Sequence, residues 1–93
     1  MERFLAIHSI PPGTNEAGFR RSLQGLAEAA ERVGVGVEET VFSLERGQAY
    51  SLFEADDEAS VREVVGAAGL PTPEVFRASL VYTDLLREPR RAR

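Results

Sequence analysis

The chain has no cysteine, no tryptophan and no lysine, and His8 is its single histidine. Without thiols there are no disulfides, iron–sulfur clusters, cysteine zinc sites or cysteine nucleophiles. Without lysine there is no Schiff-base chemistry and no usual anchor for pyridoxal phosphate. All eleven basic residues are therefore arginine. Long apolar runs are missing as well. No stretch approaches the roughly 20 residues of a membrane helix. The apolar opening up to Ile7 is interrupted by His8, which makes it too short for a secretory core segment. Phosphate loops, nucleophile elbows and HExxH pairs are absent too.

What is present describes an ordinary small globular domain. There are 93 residues, 43% of them hydrophobic and 28% charged, enough for one modest core and too apolar for intrinsic disorder. The net charge is −4 and the isoelectric point about 5.0, so the surface should repel nucleic acid and anionic membranes. A cytoplasmic protein with neither as partner is the expectation. The sequence Arg87-Glu88-Pro89-Arg90-Arg91-Ala92-Arg93 concentrates four arginines. Residues 1–86 are read as a single domain and 87–93 as a solvated, frayed tail.

The hydrophobic spacing gives six elements. Arg3 to Ile10 is a strand stopped by Pro11-Pro12-Gly13. A helix capped by Thr14 follows, with Phe19, Leu23, Leu26, Ala27, Ala30 and Val33 at helical spacing and Gly34 closing it. Val35 to Leu44 and Gln48 to Glu54 are strands joined by a turn at Glu45-Arg46-Gly47. Asp56-Asp57-Glu58 opens a second helix, whose apolar face is Val61, Val64, Val65 and Ala68 and whose end is Gly69. Glu74 to Thr83 is the last strand. The order is βαββαβ, a ferredoxin-like α+β fold. Two right-handed crossovers place both helices on one face of a four-stranded antiparallel sheet.

The other face then has no helix to cover it, and the strands are apolar on both sides. Phe4 and Ala6 oppose Leu5 and Ile7; Tyr50 and Leu52 oppose Ala49 and Phe53; Phe76 and Leu80 oppose Val75 and Val81. A sheet with one wet face should alternate cleanly between apolar and polar. This one predicts a homodimer formed through the bare face, a ligand on that face, or both. Phe4→Arg is the probe of that assembly if Phe4 lies on the bare side.

Three residues stand out as candidate ligand contacts. His8 is the one side chain that titrates near neutral pH, and on the bare face it would serve as a base or a weak metal ligand. Its bland alternative is a half-buried strand histidine bonded to backbone or water. Arg77, between apolar neighbours, offers a bidentate grip on a carboxylate or phosphate, or simply an ion pair. Tyr50, like Tyr82, would line a pocket or satisfy one hydroxyl in the core. Glu38 and Glu39 point to opposite faces of a strand, and Asp56-Asp57-Glu58 is accounted for by capping. The leading reading is a ligand- or partner-binding module without cofactor. The alternative is a small dimeric α+β barrel enzyme with His8 as proton shuttle.

The run Phe4-Leu5-Ala6-Ile7-His8 into Pro12-Gly13-Thr14, with Tyr50 to Asp56 and Ala68-Gly69-Leu70-Pro71, resembles a bacterial domain-of-unknown-function family. Its members are small ferredoxin-like proteins that dimerise through their sheets, and some are described as nickel-binding. The resemblance implies the same fold, a dimer, and a strand histidine at His8. Metal-associated relatives carry histidines where this chain has Val64 and Ala68, and a cysteine where Ser51 stands. One imidazole with oxygen ligands holds Ni²⁺ weakly. The expectation is accordingly no tight metal site, with His8 a weak candidate ligand only.

Overall fold

The computed structural model describes residues 1–79 of the chain. Its elements are β1 (Glu2–Ser9), α1 (Glu16–Arg32), β2 (Gly36–Ser43), β3 (Gln48–Ala55), α2 (Glu58–Ala67) and β4 (Glu74–Ala78). The strands form one antiparallel sheet in the order β2-β3-β1-β4. This is the βαββαβ arrangement the sequence predicts, with β2 and β4 at the two edges. The expected extension of β4 to Thr83, the 1–86 domain boundary and the arginine-rich stretch 87–93 lie outside the described residues.

Local chemistry fixes the helix ends. Asn15, not Thr14, caps α1: its Oδ1 accepts from the Gly18 N–H at 2.7 Å. The Thr14 hydroxyl instead donates to the Pro11 carbonyl at 2.6 Å and closes the turn that Pro11-Pro12-Gly13 begins. Two eligible caps stood side by side in the sequence, and the proline turn claims the first. Asp57 caps α2, accepting from the Ser60 N–H at 2.8 Å, and those hydrogen bonds hold its carboxyl below the usual carboxylate range. Gly34 and Gly69 leave the two helices with φ of +76°, a backbone state open to glycine at no steric cost.

The core lies between the helices and one face of the sheet. Phe19, Leu26 and Ala30 of α1 and Val61, Val64 and Val65 of α2 pack on Phe4, Ala6, Ala49, Phe53 and Ala55. Alanines at strand positions 6, 49 and 55 let the helices approach closely, and all three are fully buried. A bulge between Val37 and Glu39 shifts the register of β2 against β3. The inserted residue, Glu38, meets Arg3 of β1 at 2.7 Å across the sheet end, so the bulge brings Glu38 to the same side as Glu39 instead of the opposite faces that strict alternation predicts.

Candidate functional site

Register pairing places every strand residue on one of two faces. The face without helices is built in rows. Arg3 and Glu54 form the first, beside Gly36. Glu39, Leu52, Leu5 and Phe76 form the second, and Val41, Tyr50, Ile7 and Glu74 the third. Gln48 and Ser9 close it together with Ser43. Six apolar side chains therefore make a continuous centre, ringed by carboxylates, one arginine and small polar groups. Val41, Tyr50 and Phe76 are 64%, 39% and 49% exposed. An apolar centre inside a polar rim is the anatomy of a protein interface.

Tyr50 belongs to this face, where its hydroxyl donates to Gln48 Oε1 at 3.1 Å. Arg77 does not. It pairs in register with Phe4, on the helix side of the edge strand, and stands exposed with its guanidinium 3.0 Å from Glu2 Oε1. That ion pair is the structural alternative the sequence allowed.

His8 is on the covered face as well, which corrects its expected place on the bare one. Its neighbours in β1 decide the matter. Phe4, Ala6, His8 and Ile10 alternate inward, because turning them outward would bury Arg3 and expose Phe4. The imidazole is 2% exposed, beneath α1, with the Phe19 ring centroid 6.4 Å away. Its Nε2 lies 3.2 Å from Ser51 Oγ, and Ser51 Oγ lies 2.9 Å from Thr40 Oγ1. A short polar chain thus crosses β1, β3 and β2 inside the core. Burial pushes the His8 pKa down from its ordinary value near 6.5, so the ring is neutral at physiological pH. The Nδ1 atom has no hydrogen-bond partner among the described residues.

The three candidates are consequently not one site. His8 and Arg77 align with positions 8 and 4 of β1, about 13 Å apart along the strand. Tyr50 lies across the sheet from both. The sequence reading overlooked Ser51 and Thr40 as partners of His8. Their inward alternation with Phe53 and Phe42 was the available signal. Among the described residues no group of three His, Asp or Glu side chains is placed to hold a metal ion. No helix among them is long and apolar enough to cross a membrane.

No protein-family model matches the sequence, and no curated protein does. Solved structures do match. The protein SCO4226 of Streptomyces coelicolor A3(2) shares 20% identity, with a TM-score of 0.75 over 86% of this chain and 99% of that one. Ribosomal protein S6 of Thermotoga maritima shares 13% identity, with a TM-score of 0.58 over 98% of this chain and 96% of that one. At these identities the likeness is one of fold, and it agrees with the ferredoxin-like topology.

Proposed function

We propose that this chain is a non-catalytic binding module whose working unit is a homodimer joined through the open sheet faces. The observation that carries this reading is the apolar centre of Leu5, Ile7, Val41, Tyr50, Leu52 and Phe76 within its polar rim, on the face that no described helix covers. Left in water, that centre is the kind of contiguous patch monomers avoid. A second copy supplies the matching surface without any new partner, because a two-fold axis pairs the patch with itself. A ligand held between the two sheets would meet Tyr50 rather than His8.

Area sets the strength. Four strands about 4.8 Å apart and some six residues long give a footprint of roughly 400 Å² per copy. A standard stable interface takes about 800 Å² from each partner. The dimer is therefore of the reversible class, dissociating on the order of micromolar concentration. A proton-shuttle enzyme has less support, since His8 and Ser51 are both sealed beneath the helices.

Sedimentation velocity across a dilution series tests the reading. The expected result is a dimer at about 200 µM that dissociates on dilution. Leu52→Arg or Phe76→Arg should leave a folded monomer at every concentration. Phe4→Arg is not the right probe, because Phe4 is buried in the core. A wild-type protein that stays at 10.2 kDa throughout would sink the proposal.

A further inference from the structure

Away from the open face, a groove of about 350 Å³ runs between the C-terminal half of α1 and the start of β2. Ala27, Ala30, Val35 and Val37 line it, and Glu28 and Glu31 stand with them on α1. Each wall has a sequence reason. Small residues at 27 and 30 leave a hollow where larger ones would have met β2, and Gly34 turns the chain so that Val35 and Val37 form the opposite side. Because β2 is an edge strand of the sheet, no further strand among the described residues closes the hollow.

The two carboxylates are unspent. Elsewhere on the surface Glu16 pairs with Arg20, Glu58 with Arg62, Glu38 with Arg3 and Glu2 with Arg77. Glu28 and Glu31 have no ion-pair partner among the described residues, and Arg32, one turn from Glu28, pairs with neither. Three residues apart on a helix, they are neighbours about 5–6 Å apart at Cβ.

We infer that this groove receives a basic side chain from a linear segment of a protein partner, with arginine favoured over lysine. An arginine side chain has an apolar stem and a planar cationic head. The stem matches the alanine and valine lining, and the fork matches two carboxylates one turn apart. The openness of the groove selects a segment over a small molecule. Small-ligand sites bury 70–90% of their occupant, and a free cation here would remain largely wet. The inference is independent of the homodimer, since none of these residues lies on the open sheet face.

The probe is the peptide acetyl-Ala-Arg-Ala-Arg-Ala-Arg-Ala-amide, titrated into the ¹⁵N-labelled full chain and followed by amide chemical shifts. The expected result is saturable movement of Ala27, Ala30, Val35 and Val37. The Glu28→Gln/Glu31→Gln variant should weaken it by about tenfold, as loss of charge-assisted pairing does. Ala27→Leu fills the groove without changing charge, and it should weaken binding to a similar degree. Both substitutions are at exposed helix positions, so the variants' own spectra verify the fold. The same peptide with glutamate in place of arginine should leave the spectrum unmoved. No shift with the arginine peptide, shifts confined to Leu5, Leu52 and Phe76, or equal binding by both variants and wild type would each overturn the assignment.

Discussion

The two faces of the sheet are made of similar residues and meet different fates. Under the helices, Phe4, Ala6, Ala49, Phe53 and Ala55 are sealed, and the small members set how closely the helices lie. On the other side, Leu5, Ile7, Leu52, Tyr50 and Phe76 carry more apolar bulk in total and remain partly or largely in water. Hydrophobicity alone therefore does not say which face is the core. The distinguishing features are the alternation of small with large on the covered face and the carboxylate rim on the open one. The first suits packing against a helix; the second suits a surface that must stay dispersed until it meets its match. Stability should thus reside on one side and association on the other.

The most severe break in that division is Phe53→Ala. Removing a fully buried aromatic ring should cost about 3–5 kcal/mol, most of the stability of a domain this size, and leave little cooperative unfolding. Phe76→Ala, one strand position from the core residue Val75, should change stability by no more than about 0.5 kcal/mol while weakening the dimer. Urea unfolding at low protein concentration separates these effects. Comparable losses from both variants would erase the distinction between the faces.

A smaller effect sharpens it from inside the core. Since burial lowers the folded-state pKa of His8, the unfolded chain takes up its proton first as pH falls. Stability should be steady above pH about 6.5 and decline below it, by at most about 1.4 kcal/mol per pH unit, until the folded protein is protonated too. His8→Gln keeps a group that can bond Ser51 and removes the titration. Its urea midpoint should be flat between about pH 8 and pH 5.5, where the wild type falls. A wild type equally flat over that range would mean the imidazole has a solvent path absent from the folded structure.

Salt should act on the other face. Four carboxylates, Glu38, Glu39, Glu54 and Glu74, share that rim with one arginine, Arg3, so two copies brought together repel at their rims. Raising ionic strength from about 0.05 M to 0.5 M should tighten the dimer several-fold through screening. Weakening instead would point to attractive pairs across the interface.

Most of the fold was legible because each boundary had a local cause. Proline-glycine turns, an aspartate cap and glycine exits mark the elements as far as the start of β4 to within a residue or two, although the cap of α1 falls on Asn15 rather than the expected Thr14, and βαββαβ order with crossover handedness fixes the layers. The two-sided apolarity was legible for the same reason, since strand alternation assigns partners to opposite faces without any coordinates. The site was harder. Alternation grouped His8 with Phe4 and Ala6, yet its titratable ring drew the expectation toward the water-facing side. What settles its place is a pair of hydroxyls, Ser51 and Thr40, that arrive from two other strands through register alone. A bulge at Val37–Glu39 sets that register, and no single-sequence pattern announces it. The α1–β2 groove was illegible for a related reason. It is a space left by small residues, and absences of bulk on separate elements become a shape only when the elements are packed.

The smallest expected effect is that of divalent metal. Imidazole is a good ligand for Ni²⁺ and Zn²⁺, but a site needs several donors converging on an open position. His8 presents Nε2 to a serine hydroxyl, and its Nδ1 is enclosed by protein. The nearest polar companions are Ser51 and Thr40, weak neutral ligands that already bond each other at 2.9 Å. Bringing two His8 rings together in a dimer does not help, because each ring lies under its own helices, on the face turned away from the proposed interface. Titration calorimetry with Ni²⁺ and with Zn²⁺ should therefore show only weak, non-stoichiometric heats, nearly the same in wild type and His8→Ala. Submicromolar binding at one ion per chain or per dimer, lost in His8→Ala, would show that β1 turns over or the helices open to expose the imidazole. The division between a sealed face and an associating one would then fail at its centre.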